Sequence, residues 1–392
     1  MTTEETLKLF ERYVIPNYTR YPIVVVRGEG SAVWDANGKR YIDLFPGWGV
    51  NGIGHCHPRV VAAIREQAGK LLHVANNFYM EPQGRLAQLV AESSFGGKCF
   101  FCNSGAEANE GAIKLARIHT DPARYKVITA YNSFHGRTLT TVAATAQAKY
   151  HRGFHPLPPG FVYVPFNDVD VVAKVCDDET CAVLVEPIQG EGGVNVPDDD
   201  YLPRLRELCD ERGVLLILDE VQTGCGRTGK WFGYQHWGVT PDIMTMAKAL
   251  GGGLAIGGFE AKSDIAASLV PGTHASTFGG NPIACAGGIA AFEAIAEEGL
   301  LENAQRVERQ IKDRMTALST EVDFIREVRG KGCMIGVELS RPGTPIVEEC
   351  IRQGLLVNCT HETVLRMLPS MAATEAEVAE GLDILEQALR TC

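Results

Sequence analysis

The segment Val214-Leu-Leu-Ile-Leu-Asp-Glu220 predicts a buried β-strand that ends in two carboxylates. It is followed by Asp242-Ile-Met-Thr-Met-Ala-Lys-Ala-Leu-Gly-Gly-Gly253, where Lys248 lies among apolar residues, 29 positions after Asp219. Burial favours the neutral amine of a lysine, which is the form that attacks a carbonyl carbon. An aspartate at the end of a buried strand can keep the ring nitrogen of a pyridine cofactor protonated. Taken alone, this pair favours a structural ion pair between two strand ends.

A second segment predicts a helix whose start can bind an anion. Residues 99–117, Cys-Phe-Phe-Cys-Asn-Ser-Gly-Ala-Glu-Ala-Asn-Glu-Gly-Ala-Ile-Lys-Leu-Ala-Arg, indicate a short buried strand, a tight turn and an amphipathic helix. Ser104 and Glu107 have the spacing of a capping box, so the helix is expected to begin there. Its free N–H groups, with small residues beside them, are suited to an anion. An ordinary capped helix explains everything except the crowding of small residues.

The loop Thr273-His-Ala-Ser-Thr-Phe-Gly-Gly-Asn-Pro282 is rich in hydroxyl groups and glycine, and it can also donate to a phosphate, although loops of this composition are common.

Taken together, the motifs resemble those of the class III pyridoxal-phosphate aminotransferases. The resemblance runs from about Tyr18 to the C-terminus, and within the class it is greatest to the acetylornithine enzymes. Enzymes acting on succinylornithine, ornithine, 4-aminobutyrate or carrier-linked lysine share most of the motifs. Six segments in one order carry the resemblance: Asn103-Ser-Gly-Ala-Glu-Ala-Asn109, Ser133-Phe-His-Gly-Arg-Thr138, Glu186-Pro-Ile-Gln-Gly-Glu-Gly-Gly193, Leu218-Asp-Glu-Val-Gln-Thr-Gly224, Lys248 and Ser276-Thr-Phe-Gly-Gly-Asn-Pro282.

The resemblance implies a reaction and a set of cofactor-binding residues. The ω-amino group of N-acetylornithine would pass to 2-oxoglutarate by a ping-pong route, giving N-acetylglutamate 5-semialdehyde and glutamate in arginine biosynthesis. Lys248 would form a Schiff base with pyridoxal 5'-phosphate and move protons, and Asp219 would pair with the ring nitrogen. Gln222 would donate to the ring oxygen, and Thr277 would reach the phosphate from a partner subunit. The remaining implied cofactor residues are Ser104, Gly105 and Ala106 at the phosphate, Phe134 and Val221 on the two ring faces, and Glu220.

Substrate choice, by the same resemblance, depends on two arginines and a glutamate. Arg137 is expected to bind a carboxylate at the far end of the substrate, and Arg366 the α-carboxylate of glutamate. An ω-amine carries no carboxylate beside its reacting carbon, so Glu191 is expected to neutralise Arg366 in that half-reaction. Ser276 and Tyr18 are the other expected substrate contacts. The chain departs from the family pattern at Trp48 and at His361 and Glu362, which bears on the acyl group accepted.

Composition bounds the class of protein. A chain of 392 residues is long for one core, which predicts two lobes, and 45% hydrophobic with 22% charged residues is ordinary for a globular protein. A net charge of −11 argues against nucleic-acid binding. No apolar run is long enough to span a bilayer, and Met-Thr-Thr-Glu-Glu at the N-terminus is not a signal pattern. Twelve irregularly spaced cysteines indicate a reducing compartment, so a cytoplasmic enzyme is predicted.

The order of predicted elements is α/β throughout. Residues 1–50 are expected to form an N-terminal arm that joins a small lobe, with a hairpin at Ala32–Asp43 turning at Asn-Gly. Residues 51–283 alternate helices and strands, which predicts a large, mostly parallel sheet with ligands at its carboxyl edge. Residues 284–392 are expected to form a smaller α+β lobe whose last helix begins at Thr374. The resemblance implies pyridoxal-phosphate fold type I, like aspartate aminotransferase, and a homodimer with shared active sites.

Two other kinds of site are weighed and set aside. Gly224-Cys-Gly-Arg-Thr-Gly-Lys230 matches part of an ATPase phosphate loop, but Trp231 stands where a magnesium-binding Ser or Thr is required. The acidic strand also runs directly into this loop, whereas in P-loop enzymes the two come from separate strands. Cys99-Phe-Phe-Cys102 and His55-Cys-His57 lack the four converging ligands of structural zinc, so no metal is predicted.

Overall fold

Fifteen strands and thirteen α-helices alternate along the chain in the computed structural model, which describes all 392 residues. The strands are β1 (Val25–Glu29), β2 (Ala32–Asp35), β3 (Arg40–Asp43), β4 (Lys98–Cys102), β5 (Lys126–Ala130), β6 (Phe161–Val164), β7 (Thr180–Val185), β8 (Leu215–Asp219), β9 (Ile243–Met246), β10 (Gly257–Ala261), β11 (Ile325–Lys331), β12 (Met334–Leu339), β13 (Leu355–Leu356), β14 (Asn358–Thr360) and β15 (Val364–Met367). The α-helices are α1 (Thr3–Tyr13), α2 (Pro58–Ala68), α3 (Glu81–Ser93), α4 (Gly105–His119), α5 (Leu139–Ala144), α6 (Ala148–His151), α7 (Val169–Val175), α8 (Tyr201–Arg212), α9 (Ser263–Ala266), α10 (Pro282–Glu297), α11 (Leu300–Ser319), α12 (Thr344–Gln353) and α13 (Glu375–Thr391).

Seven strands form the sheet of the large lobe, in the order β4-β10-β9-β8-β7-β5-β6. Strand β10 runs antiparallel to β4 and β9, and the remaining neighbours are parallel. Both faces are covered, which explains why β8 is continuously apolar rather than alternating. Leu216 and Leu218 of β8 pack into one apolar cluster, and Ile217 into the cluster on the opposite face. The predicted mostly parallel sheet is confirmed.

The small lobe contains an antiparallel sheet in the order β11-β12-β15-β14. Helix α11 covers it with apolar side chains three or four positions apart, including Ala304, Val307, Ile311 and Met315, all of them buried. These residues belong to one core of 34 buried side chains that also receives α12 and α13. Helix α13 begins at the predicted capping box of Thr374.

The N-terminal segment pairs with this lobe. Strands β2 and β3 form the expected hairpin, in which the Asp35 carboxylate accepts from the backbone N–H groups of Asn37 and Lys39. Strand β3 then pairs in parallel with β13, which brings Ile42 beside Leu355. Helix α10 contributes side chains to the cores of both lobes, so it connects the two. None of the helices is both long and apolar enough to cross a membrane.

Candidate active site

A cavity of about 480 Å³ lies at the carboxyl edge of the large sheet, where the segments after β4, β5, β7, β8 and β9 converge. This is the edge at which α/β sheets bind ligands. The cavity brings together ten of the residues predicted from sequence. They are Ser104, Gly105, Ala106, Phe134, Arg137, Glu191, Asp219, Val221, Gln222 and Lys248.

The start of helix α4 presents free donors to the cavity. Ser104 is the N-cap, and its hydroxyl accepts from the N–H of Glu107, as the capping-box spacing predicted. The N–H groups of Gly105 and Ala106 have no acceptor in the chain. A Cβ on Gly105 would stand 2.9 Å from a methyl carbon of Val221, so a side chain here would collide with the opposite wall. The helix start is therefore shaped to receive an anion.

Asp219, at the end of β8, is held at the bottom of the cavity by three donors. The ring nitrogen Nδ1 of His135 lies 2.7 Å and the amide nitrogen of Asn109 2.8 Å from its Oδ2, while the N–H of Val221 donates to Oδ1. The Asn109 amide is itself oriented by Thr245, whose hydroxyl donates to its oxygen. Burial opposes ionisation, but these hydrogen bonds outweigh it and hold the pKa of Asp219 below its usual value. Asp219 is therefore a fixed anion.

Lys248 follows β9 and opens a short 3-10 helix. Its backbone has a φ of 48°, a left-handed conformation that is uncommon for a residue with a side chain. Gly252 and Gly253, also left-handed, turn the chain away immediately afterwards. Burial lowers the pKa of the Lys248 amine, and the Glu191 carboxylate opposes that shift only in part. The amine is thus brought toward the neutral form that nucleophilic and proton-transfer chemistry requires.

Arg366 lies behind the cavity wall and is fully buried. Its Nη1 donates to Oε1 of Glu191 at 2.9 Å and to Oε1 of Gln222 at 3.2 Å, while its Nη2 and Nε donate to Asn358. Burial opposes ionisation of Glu191, but the guanidinium outweighs it and lowers the pKa of this carboxyl. The ring of Phe45 lies 5.0 Å from the guanidinium carbon. The predicted arginine–glutamate pair is present, with Glu191 between Arg366 and the cavity.

Arg137 is held differently. It is exposed and donates to no acceptor in the chain. Its guanidinium carbon lies 4.0 Å from the centroid of the Tyr150 ring and 5.3 Å from that of Phe134. Such contacts orient a cation without neutralising it. Arg137 is therefore free to bind an incoming carboxylate.

Besides Arg366, four predicted residues lie outside the cavity. The Ser276 hydroxyl accepts from Asn103, which does line the cavity, whereas Thr277 and Tyr18 are exposed at the surface. For Glu220, the structure corrects the prediction that this residue binds the cofactor. Its carboxylate points away from the cavity and accepts from the N–H groups of Gly233 and Tyr234, because consecutive residues of a strand face opposite sides of the sheet.

The structure adds residues that sequence reasoning missed. His135 and Asn109 orient Asp219, Tyr150 supports Arg137, and Asn358 binds Arg366. Glu186 also lines the cavity, where burial raises its pKa to about 7. His135, Asn109 and Glu186 stand inside motifs that were already recognised, so their position in those motifs was an available signal. No such sequence signal was available for Tyr150 and Asn358.

The departures from the family pattern occupy turns. His361 and Glu362 form the left-handed turn between β14 and β15, and His361 lies 3.3 Å from the side-chain oxygen of Asn132. Trp48 also has a left-handed backbone and packs edge-on against Phe45, which contacts Arg366. Trp48 is half-exposed and does not line the cavity of its own chain.

The competing sites have other structural roles. Strand β8 runs directly into the loop at Gly224–Lys230, and the next α-helix begins only at Ser263, so the loop lacks the helix start of a phosphate loop. Trp231 stacks on Phe292, with ring centroids 5.0 Å apart. His55 and His57 contact different carboxylates, Asp43 and Glu298.

Comparison with known proteins finds relatives over nearly the whole chain. A family model described as aminotransferase class-III matches residues 13–389. The acetylornithine aminotransferase of Caldanaerobacter subterraneus subsp. tengcongensis is 50% identical over 384 residues, which cover 97% of this chain and 98% of that protein. That of Methanocaldococcus jannaschii is 47% identical over 395 residues, covering 99% and 98%. A solved ornithine aminotransferase from Toxoplasma gondii, with PLP partially occupying its active site, matches with a TM-score of 0.94 at 36% identity and covers 99% of this chain and 94% of that one.

Proposed function

The chain belongs to the class III aminotransferases, and we propose that it transfers the ω-amino group of N-acetylornithine to 2-oxoglutarate. As a member of this family it is a transferase that depends on pyridoxal phosphate. Two relatives named acetylornithine aminotransferase, 50% and 47% identical over nearly the full length, support the substrate. The products are N-acetylglutamate 5-semialdehyde and glutamate.

The residues present fit the cofactor. The free N–H groups of Gly105 and Ala106 suit its phosphate, and the Asp219 carboxylate suits its protonated ring nitrogen. Phe134 and Val221 lie on the cavity wall, where they can contact the ring faces. When bound, pyridoxal phosphate supplies an electron sink for removing a proton from the carbon that carries the substrate amine.

Lys248 is the residue proposed to carry out the proton transfer. Its amine lines the cavity and burial keeps its pKa low, so Nζ can accept the proton from the substrate carbon. Asp219 stays ionised throughout because His135 and Asn109 continue to donate to it. Because Asp219 is held as an anion by these donors, the proposed proton carrier of the site is Lys248.

The contact between Arg366 and Glu191 is the observation that carries the substrate proposal. An acylated ornithine presents methylene groups beside its reacting carbon, whereas glutamate presents a carboxylate there. A buried arginine without a partner costs several kcal/mol, so a site for both substrates needs an internal anion that can withdraw. Glu191, about 20% exposed and 2.9 Å from Arg366, is placed for this role. Arg137 binds the carboxylate at the far end of either substrate.

We further propose that the active unit is a homodimer. Ser276 and Thr277 stand on an exposed loop, and Thr277 reaches no phosphate-binding position of its own chain. Large apolar side chains are exposed on this loop and in residues 72–79, which hydrogen-bond to it, among them Phe278, Leu72, Phe78 and Tyr79. A second copy would cover these side chains and receive Thr277 at its helix α4. Twelve unpaired cysteines support a reducing, cytoplasmic location.

A substrate panel tests the proposal. The purified protein should absorb in the visible, and N-acetylornithine should be a better amino donor to 2-oxoglutarate than N-succinylornithine, ornithine, 4-aminobutyrate or N-succinyl-diaminopimelate. Lys248→Ala should abolish turnover with every donor while the protein stays folded. A preference for free ornithine would replace the proposed donor, and a colourless protein that hydrolyses ATP would overturn the family chemistry for this chain.

A further inference from the structure

Arg227 is buried in the loop at Gly224–Lys230, the segment that resembled a phosphate loop. The residue is about 1% exposed, yet no carboxylate contacts its guanidinium. The group instead donates to four backbone carbonyl oxygens. They belong to Cys333 (3.2 Å), Leu368 (3.0 Å), Gly49 (3.1 Å) and Pro369.

Three of those carbonyls, from Leu368, Pro369 and Gly49, belong to segments that adjoin Arg366 or the cavity wall. Leu368 and Pro369 directly follow β15, the strand that carries Arg366. Leu368 also packs against Ile188 and Val194, on either side of Glu191 in the same loop. Gly49 precedes Val50, which lines the cavity. The guanidinium therefore holds together the backbone around Arg366 and the wall of the cavity.

The loop that carries Arg227 also holds Arg366 directly. It leaves β8 through Gln222, whose side-chain oxygen accepts from Arg366 at 3.2 Å. Arg227 lies five residues further on and fixes the backbone two residues beyond Arg366. The same loop thus contacts the side chain of Arg366 through Gln222 and the backbone that follows its strand through Arg227. A lysine could not reproduce this, because an ammonium lacks the rigid fork that fixes several acceptors at once.

We propose that Arg227 is a positioning residue, which sets the place of β15 so that Arg366 meets Glu191 in one half-reaction and a substrate α-carboxylate in the other. It touches no substrate, and its effect passes through Arg366. The identity of the α-carboxylate substrate as glutamate rests on the proposed function. Glu191 contacts only one guanidinium nitrogen of Arg366, whereas a substrate α-carboxylate bound by the fork would have to match two, so the glutamate side depends on Arg227 most.

The test compares the two half-reactions in Arg227→Lys. In single-turnover experiments the apparent dissociation constant for glutamate should rise by about tenfold or more, whereas the rate with acylornithine should change by less than about threefold. Arg206→Lys is the matched control, because Arg206 is a mostly buried arginine that pairs with Asp242 at 2.8 Å in the large lobe, remote from β15. Arg206→Lys should lower thermal stability without affecting the glutamate half-reaction more than the acylornithine half-reaction. Equal losses on both sides in Arg227→Lys would overturn the proposal.

A double-mutant cycle tests whether the effect passes through Arg366. In an Arg366→Lys background, adding Arg227→Lys should weaken glutamate binding by less than about twofold further, since the contact that Arg227 positions is already lost. If Arg227→Lys weakens glutamate binding by the same factor in the Arg366→Lys background as in the wild type, the proposal is overturned. Hydrogen exchange of residues 364–370 should also be faster in Arg227→Lys than in the wild type, with residues 32–43 unchanged. If Arg227→Lys does not fold, Arg227→Gln replaces it, and unchanged exchange at residues 364–370 would refute the role.

Failure of this inference is separable from failure of the proposed function. If the wild-type enzyme turns over no acylornithine but reacts with glutamate, the proposed donor is wrong. The glutamate measurements, the double-mutant cycle and the hydrogen exchange still decide the role of Arg227, with whichever ω-amine the enzyme accepts as the second substrate.

Discussion

Arg366 and Arg137 are both expected to bind carboxylates, yet their surroundings are opposite. Arg366 is fully buried and is held by Glu191, Gln222 and Asn358. Arg137 is exposed, and its guanidinium lies against the rings of Tyr150 and Phe134. An aromatic ring orients a guanidinium for about 0.5–1 kcal/mol at an exposed site and does not neutralise it. A carboxylate in a buried site does both.

The difference explains how one cavity can serve two substrates. A carboxylate is present at the far end of both acylornithine and glutamate, so Arg137 needs no internal partner. The second carboxylate, beside the reacting carbon, is present in glutamate and 2-oxoglutarate but not in acylornithine. A buried Arg366 therefore requires another anion whenever neither of those two is bound. Arg137 is therefore a permanent receptor and Arg366 a switched one.

The largest expected effect comes from removing the switched arginine. Arg366→Ala should lower kcat/KM for glutamate by roughly a hundredfold to a few thousandfold, because about 3–5 kcal/mol is lost when one partner of a buried pair is removed. The acylornithine side should lose less, and the loss there should come from the unpaired Glu191. Arg366→Ala combined with Glu191→Ala is the control. Acylornithine activity that fails to recover in the double variant would contradict the assignment.

A smaller effect, equal for acylornithine and glutamate, is expected when Arg137 is removed. Arg137→Leu should raise KM for acylornithine and for glutamate by a similar factor, about tenfold to a hundredfold, since each loses one charged contact worth about 1.5–3 kcal/mol. Steady-state kinetics with each donor measures this. A loss confined to one donor would remove Arg137 from the shared role.

The comparison also shows what sequence can predict. Lys248 and Asp219 were predictable because each stands at the end of an apolar strand, and in a parallel sheet such ends converge. The family predicted from the motifs and the mostly parallel sheet predicted from the alternation of helices and strands are confirmed. Tyr150 was not predictable, because it meets Arg137 only through the path of the chain around α5 and α6. Glu220 was assigned with its neighbour Asp219, although strand alternation turns it to the other side.

A smaller effect on KM is expected from Tyr150, whose ring packs against Arg137. Tyr150→Leu should raise KM for both donors by about two- to fivefold, which corresponds to the ~0.5–1 kcal/mol of an exposed cation–π contact. Tyr150→Phe keeps the ring and should stay within twofold of the wild type. If the two variants weaken binding equally, the hydroxyl group rather than the ring supports Arg137.

The carboxyls beside the cavity should differ in how they link stability to pH. Burial raises the pKa of Glu186 to about 7, whereas the Arg366 guanidinium lowers that of Glu191. The stabilising contribution of Glu186 is present below its unfolded pKa and lost as pH rises through 7, while that of Glu191 is present above its unfolded pKa and lost as pH falls. Glu186→Gln should therefore flatten the fall in Tm between about pH 5 and 8, by about 2–4 °C in a chain of this size. Glu191→Gln should lower Tm most at neutral pH, and matching profiles for the two variants would refute the distinction.

The central claim is that Glu191 masks Arg366 whenever no substrate carboxylate is present. Glu191→Gln keeps the size of the side chain and removes its charge. Single-turnover rates of the two half-reactions, followed separately by cofactor absorbance, should show the acylornithine side impaired about tenfold more than the glutamate side, which is ~1.4 kcal/mol of differential stabilisation. Equal impairment of both sides would contradict the switch and leave Glu191 as a structural partner of Arg366.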